Sequence, residues 1–288
     1  MHCLNLKITY NCNNKCSYCF SSNLKNNEIE LDGLLKTVEN GFSKGCRMLV
    51  LSGGEPTLYP ERIIKIITLA KSLGYKKFTI QTNGFGIKGD LAKFLNDTEN
   101  ISISFSVLGA CDSTHDKITQ RKGSFNDIIS AINLIYKECE IITNTVISKK
   151  NINELDQIVN LILPFSPNIM QFSIMHTEYD ENYVGLIDSI KAIKKLIDNS
   201  NIGLNMLRTE GITACLMNGF EQCIGENYWP KKLDICNDNY NISRLNQLNS
   251  NMRFKSNFCK KCIFDEICYG VWIETKDEFL KHVKKGIN

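Results

Sequence analysis

From Leu4 to Asp198 the chain alternates short β-branched runs with longer amphipathic ones, and this alternation limits the fold more than any other feature. Extended segments are predicted at Leu4–Tyr10, Arg47–Leu51, Lys77–Gln81, Ile101–Ser106, Ile141–Ile147 and Ile169–Ile174. Helices are predicted at Leu31–Lys44, Pro60–Leu73, Gly89–Asn96, Phe125–Lys137, Asn153–Leu163 and Tyr183–Asp198. Strands that alternate with helices build a parallel sheet with the helices outside it. Six such units, rather than eight, imply a partial (β/α)6 barrel over residues 1–206. After Leu207 the texture changes: residues 208–270 carry six cysteines, many Asn and Gly, and few periodic runs. The expected fold class is therefore α/β, a partial barrel with a small cysteine-rich C-terminal extension over residues 207–288. Asn237–Asn251 reads as an exposed connection.

Composition narrows the function. A net charge of +3 is too small to argue for nucleic acid or an anionic membrane. No apolar run approaches the length of a membrane span, since even Ile63–Ala70 is broken by Lys65 and Thr68. The N-terminus has no apolar targeting segment, so a cytoplasmic location is expected. The thirteen cysteines then belong in a reducing compartment, where clustered thiols mean metal binding or catalysis rather than disulfides. The basic tail at Lys281, His282, Lys284 and Lys285 reads as a solvated face.

The clusters carry the chemistry. Cys12, Cys16 and Cys19 form C-x3-C-x2-C directly after the first strand, on the face where β/α barrels gather their active sites. Three thiolates on a [4Fe–4S] cube leave one iron without a protein ligand, so a substrate or cofactor can take the fourth position. The alternative is a zinc site, which prefers C-x2-C pairs and a fourth Cys or His nearby; His2 is the one histidine within reach in sequence. The second strand runs into Ser52-Gly53-Gly54-Glu55-Pro56, where two glycines let backbone approach a ligand and Pro56 stiffens the exit.

With the two motifs in register, the chain resembles the radical S-adenosylmethionine superfamily over about residues 4–200. The resemblance implies a [4Fe–4S] cluster on Cys12, Cys16 and Cys19 whose open iron chelates the amino and carboxylate groups of S-adenosyl-L-methionine. It places Gly53, Gly54, Glu55 and Pro56 at the methionine end of the cofactor and Tyr18 near the adenine. Thr82 and Asn83, in Gln81-Thr82-Asn83-Gly84, and Ser104 in the fourth strand are further expected cofactor contacts. One-electron cleavage then yields a 5′-deoxyadenosyl radical that abstracts a substrate hydrogen, with an electron donor such as flavodoxin or ferredoxin as partner. His115-Asp116 through Gly123-Ser124-Phe125 also matches the family pattern. Read locally, it is a helix entry with Ser124 as N-cap and Asp127 three residues on.

Cys259-x2-Cys262-x5-Cys268 resembles the auxiliary-cluster segment of SPASM and twitch extensions. It departs from the full SPASM pattern because no cysteine follows Cys268. One auxiliary cluster is expected, with Cys215 as fourth ligand and Cys223 or Cys236 as alternatives. An open three-thiolate cluster, as in the molybdenum-cofactor GTP cyclase family, and a zinc knuckle are the other readings. Cys46 and Cys139 read as inert core thiols, and Cys3 and Cys111 have no assignable role. The expected activity is modification of a ribosomally made peptide by crosslinking, oxidation or epimerisation. Against it stands the early cluster loop, which leaves no leader-peptide recognition domain before residue 12. Biosynthesis of a cofactor or small molecule is the alternative enzyme, and a non-catalytic metal-binding module the alternative of another class. No catalytic residue can be named; Cys223 is a conceivable hydrogen-atom donor if Cys215 completes the auxiliary cluster.

Overall fold

The computed structural model describes residues 1–19, 29–176, 180–236, 242–244 and 252–285. Most of the expected Asn237–Asn251 connection lies outside them. Strands β1 (His2–Thr9), β2 (Met48–Gly53), β3 (Lys77–Thr82), β4 (Ile101–Ser106), β5 (Glu140–Ile147) and β6 (Ile169–Ile174) fall where the β-branched runs predict them. So do helices α1 (Leu31–Ser43), α2 (Pro60–Leu73) and α3 (Gly89–Asn96). Helix α2 opens on Pro60, whose missing N–H costs nothing at that position, and stops at Gly74 with φ of 102°. A short helix at Asp112–Thr119 (α4) was not legible. It precedes α5 (Ser124–Ile135), α6 (Leu155–Ile162) and α7 (Leu186–Asn199).

The sheet is larger than six strands. Leu207–Glu210 (β7) continues it beyond β6. Lys232–Cys236 (β8) and Ile242–Arg244 (β9) extend it beyond β1, giving the order β7-β6-β5-β4-β3-β2-β1-β8-β9. Every pairing from β7 through β8 is parallel, and β9 is antiparallel. Both edges are thus supplied by the cysteine-rich segment, whose four- and five-residue strands are too short for a periodicity signal. A two-stranded antiparallel ribbon of β10 (Arg253–Phe254) and β11 (Val271–Trp272) follows.

The sheet curls. Asp180, after β6, accepts a hydrogen bond from Ser17, after β1. In a flat sheet strands five places apart would be separated by roughly 24 Å. On β1 the curl sorts side chains by parity. Leu4, Leu6 and Ile8 are fully buried in the hydrophobic core, whereas Asn5 and Lys7 are half-buried on the inner face. Ser52, Ser104, Asn144, Gln171, Ser173 and Glu210 continue this polar inner row across the sheet by register. Strands covered on both faces normally read as continuous apolar runs, so a polar inner face marks a lumen built to hold something.

One expectation is corrected and one is extended. Ser124 is not an N-cap: Gly123 is, and Ser124 is the first residue of α5. Its hydroxyl lies within hydrogen-bond distance of Asp116 Oδ1 (2.8 Å), His115 Nδ1 (2.9 Å) and Thr119 Oγ1 (2.6 Å), while Asp127 pairs with Arg121. The tail is not only a solvated face either. Lys276–Lys285 forms a helix, α8, that buries Phe279 and leaves Lys281 and His282 exposed. Glu278 accepts from the backbone N–H groups of Leu186 and Ile187 (2.8 and 2.9 Å), so α8 caps the N-terminus of α7. Among the described residues no helix is long and apolar enough to cross a membrane.

The α4–α5 corner has a pH signature. Burial pushes the His115 imidazole down to about 4 from 6.5. Above pH 6.5 it is neutral folded or unfolded, and the corner keeps its full stability. As pH falls from 6.5 towards 4 the unfolded chain takes up a proton that the fold refuses, a loss approaching about 3 kcal/mol. We expect His115→Gln to be less stable than wild type at pH 7.5 but to lose less stability on acidification to pH 4.5, measured by anaerobic thermal unfolding.

Candidate active site

The loops after β1, β2 and β3 meet at one point. Gly53 has φ of +132°, and a Cβ there would stand 2.0 Å from the Thr9 carbonyl oxygen. A Cβ on Gly54 would stand 2.2 Å from the Asn11 carbonyl oxygen and 2.5 Å from that of Tyr10. The two glycines are therefore required by another stretch of backbone, the entry to the cysteine loop, which packs directly on them. Across that contact Gly54 N–H donates to Thr9 O and Glu55 N–H to Asn11 O, both at 2.7 Å.

Glu55 is 1% exposed. Its Oε1 accepts from Thr57 N–H (2.9 Å), Thr57 Oγ1 (2.6 Å) and Thr82 Oγ1 (2.6 Å), and its Oε2 from Asn83 N–H (2.6 Å). Burial pushes this carboxyl up from its ordinary value, and the four hydrogen bonds oppose that. The family resemblance puts Glu55 at the methionine end of the cofactor; the structure engages its carboxylate with four donors of the protein itself. Pro56 is buried at the start of the single turn Pro56–Leu58 that presents the Thr57 donors.

Thr82 and Asn83 thus belong to the same unit. Asn83 also donates through Nδ2 to Asn13 Oδ1 (2.8 Å) and reaches Cys12 Sγ at 3.9 Å. Ser104 lies apart from them, half-buried on the inner face, next to Gln81 in register. Tyr18 is half-buried with its hydroxyl bonded to Cys16. Its ionisation is pushed up by burial and then by the Cys16 and Cys19 thiols.

Residues not singled out by sequence hold the cysteine loop from other sides. Lys15 N–H donates to Thr119 O (2.8 Å), Arg121 Nε donates to Asn14 Oδ1 (2.7 Å), and Ser17 bonds Asp180. Lys7, on the inner face of β1, lies close enough to Cys19 for the two charges to interact, while burial lowers its ammonium pKa. Its signal was the strict alternation Leu4, Asn5, Leu6, Lys7, Ile8, which marks an inward polar row without saying what the row faces.

The three thiols suit a [4Fe–4S] cluster. Cys12 Sγ receives the Asn14 N–H at 3.4 Å, Cys16 has the Tyr18 hydroxyl, Cys19 has the Lys7 ammonium, and the buried Asn13 Nδ2 has no protein partner. A donor or a cation beside each sulfur favours thiolates bound to iron. A single zinc ion would draw its thiolates to about 3.8 Å from one another, twice the Zn–S length times a tetrahedral factor. Among the described residues neither cysteine triad has all its sulfurs within 4.8 Å of one another. A cubane, which holds each thiolate on a different iron, has no such requirement.

A second thiol group lies in the extension. Cys215 feels Cys262 and Cys259 electrostatically, and Cys268 feels Cys215 and Cys259. Burial is the largest influence raising both thiols. For Cys215, exposed as a residue, the neighbouring thiols are the more telling influence. Cys223 is instead buried with Leu204 and Arg208 near, and Cys236 is buried on β8 with Thr37 as a partner. The structure therefore brings Cys215 to Cys259, Cys262 and Cys268, and leaves the two alternatives elsewhere. All thirteen cysteines stand as thiols rather than disulfides.

The Radical SAM superfamily model matches residues 6–162, more than half of the chain. The chain belongs to the radical SAM superfamily. It is 25% identical to a cysteine-type anaerobic sulfatase-maturating enzyme of Clostridium novyi, over 91% of this chain and 81% of that protein. It is 26% identical to the sporulation killing factor maturation protein SkfB of Bacillus subtilis, over 54% of this chain but 38% of that protein. In fold it is similar to anSMEcpe with bound AdoMet, with a TM-score of 0.71, 19% identity, and 95% and 90% of the two chains covered. Streptococcus suis SuiB bound to S-adenosylmethionine gives a TM-score of 0.68 at 16% identity, covering 93% of this chain and 72% of that one. This radical SAM enzyme is α/β with a mostly parallel sheet, as the sequence predicts.

Two variants test the loop contacts. Gly54→Ala is expected to displace the cysteine loop and at least halve the iron bound after anaerobic reconstitution, measured by iron and sulfide analysis. Glu55→Gln turns an amide N–H towards the Asn83 N–H. We expect a loss of about 1–3 kcal/mol in thermal stability and roughly tenfold weaker S-adenosylmethionine binding by calorimetry.

Proposed function

We propose that this radical SAM enzyme modifies a ribosomally made peptide and carries one auxiliary [4Fe–4S] cluster on Cys215, Cys259, Cys262 and Cys268. The observation that carries the reading is the convergence of those four thiols from two separate stretches of the extension. Four protein thiolates coordinate a cubane fully, which suits electron transfer better than direct substrate ligation. The names of two relatives speak of maturation, of a sulfatase and of a sporulation killing factor, and one SuiB structure holds the precursor peptide SuiA.

When bound, the cluster on Cys12, Cys16 and Cys19 supplies the electron that cleaves S-adenosylmethionine. The protein's own part is to position. Gly53 and Gly54 keep the β2 loop tight against the cysteine loop. Glu55 orders the backbone of Thr57 and Asn83. Lys7, Ser104, Asn144, Gln171 and Glu210 offer a polar inner wall to substrate. Tyr18, Thr82 and Asn83 stand at the cofactor end of that wall. Flavodoxin or ferredoxin is the electron donor in this reading, and the cytoplasm the compartment.

A second reading, small-molecule cyclisation, draws on the similarity to a probable GTP 3′,8-cyclase of Sulfurisphaera tokodaii, 25% identical over 67% of this chain. It calls for an auxiliary cluster open at one iron, and Cys215 beside the other three thiols weighs against it.

Iron analysis separates these outcomes. Wild type should hold about eight irons per chain, and the Cys12/Cys16/Cys19→Ala variant about four. Cys215→Ala should retain two clusters but yield an auxiliary signal that shifts on adding an exogenous thiol, read by electron paramagnetic resonance. A fall from about four irons to none in the first variant would remove the auxiliary cluster and the main support for a peptide substrate.

A further inference from the structure

At the opposite end of the barrel from the cysteine loop, three metal-ligating side chains converge. His2 begins β1, Cys46 lies in the turn between α1 and β2, and Asp234 is the middle residue of β8. Parallel pairing of β1 with β8 sets His2 against Lys232 and Leu4 against Asp234, so His2 and Asp234 are diagonal neighbours of the same parity. The turn is fixed by Cys46 N–H to Gly41 O and Arg47 N–H to His2 O, both at 2.9 Å. One imidazole nitrogen, the Cys46 sulfur and one carboxylate oxygen all lie within 4.8 Å of one another. The His2 Nε2 to Asp234 Oδ2 distance is 2.9 Å, with side chains 10% and 7% exposed, and Cys46 is fully buried.

We propose that His2, Cys46 and Asp234 form a binding site for a divalent cation of the zinc type, which clamps the C-terminal extension to the base of the barrel. An N, S, O donor set is one zinc accepts, at about 2.0–2.1 Å for nitrogen, 2.3 Å for sulfur and 2.0–2.2 Å for oxygen. Ligand atoms around a tetrahedral ion at those lengths stand about 3.3–3.6 Å apart, so entry needs only a few tenths of an ångström of opening between His2 and Asp234. On binding, Cys46 gives its proton to solvent and the imidazole ligates in its neutral form, so the thiolate and the carboxylate together balance the two positive charges of the ion.

The surroundings favour a cation. Cys3 is buried next to His2 in the chain but outside the 4.8 Å circle. The fourth position is left to water. Arg47, the nearest guanidinium in sequence, donates to the Phe42 and Cys46 carbonyls and stacks over the Phe42 ring at 3.9 Å. The two ends of the clamp are the first strand of the barrel and the edge strand that the extension adds to it. The ion would thus close a loop of more than two hundred residues between His2 and Asp234.

The site is independent of both cysteine clusters, and its test keeps them apart. Wild type and a Cys259→Ala/Cys262→Ala variant, each with its iron–sulfur clusters already assembled anaerobically, are exposed to Zn²⁺, desalted, and analysed for zinc and iron together. Both should retain about one zinc per chain, and the ion should raise the unfolding temperature. Asp234→Asn and Cys46→Ser should lose that zinc while keeping the iron of wild type. With Co²⁺ instead, wild type should show a thiolate-to-cobalt charge-transfer band that Cys46→Ser lacks. Asp234→Asn keeps a hydrogen-bonding partner for His2, so it stays informative if Cys46→Ser folds poorly. Absence of zinc from wild type, or zinc retained in both Asp234→Asn and Cys46→Ser, would overturn the site.

Discussion

The carboxylate of Glu55 is the tie on which the arrangement of the strand ends depends. A carboxylate 1% exposed is costly to keep charged unless donors replace its lost water. Here four do so, two from Thr57 on the β2 side and two from Thr82 and Asn83 on the β3 side. Because no water competes, each bond is stronger than it would be at the surface, and leaving any donor unmatched is correspondingly expensive. The geometry of two loops is therefore set by one side chain, and the neighbouring peptide groups of Gly54 and Glu55 extend the same constraint to the loop after β1.

The cysteine loop inherits its position from that tie and from contacts on the other side. Thr119, Arg121 and Asp180 come from the α4–α5 corner and from the segment after β6. A loop held by elements from across a curled sheet keeps its thiols placed although it has no regular structure itself. The corner is in turn rigid because Asp116 is matched. Burial would push that carboxyl up, but bonds from Phe125 N–H, Ser124 and Gly123 N–H bring it below the usual carboxylate range. The H-D…G-S-F stretch thus supports the site through packing and hydrogen bonding.

The extension is not an appendage in the structural sense. It supplies both edges of the sheet, and α8 caps α7 through Glu278. At the seam Glu226 and Arg253 form an ion pair at 2.9 Å with side chains 2% and 3% exposed. The Gly211 N–H donates to the same Glu226 oxygen. Arg253 also stacks over Trp272 at 3.4 Å. A buried pair of this kind adds little net stability against an apolar substitute, but it fixes how the β10–β11 ribbon sits against the segment after β7.

Much of this was readable in the chain. The β/α alternation determined six of the parallel strands because buried strands and amphipathic helices differ in period, and period survives in a single sequence. Cys12, Cys16 and Cys19 with Gly53, Gly54 and Glu55 were legible for the same reason: their spacing is local. Contacts between distant segments were not. Sequence put Glu55 at the methionine end of the cofactor, and only the fold shows that Thr57, Thr82 and Asn83 surround it. The sequence favoured Cys215 over Cys223 and Cys236 as fourth ligand only by resemblance, and folding brings Cys215 to Cys259 and Cys268. The short strands β7 and β8 carry too few residues for periodicity to reveal, so pairing with β6 and β1 decides them. Sequence by itself determined the architecture and the chemistry of the first cysteine cluster, through repeats and spacings within a few residues. Tertiary structure alone decided which side chains meet, because burial and hydrogen-bond partners depend on segments up to two hundred residues apart.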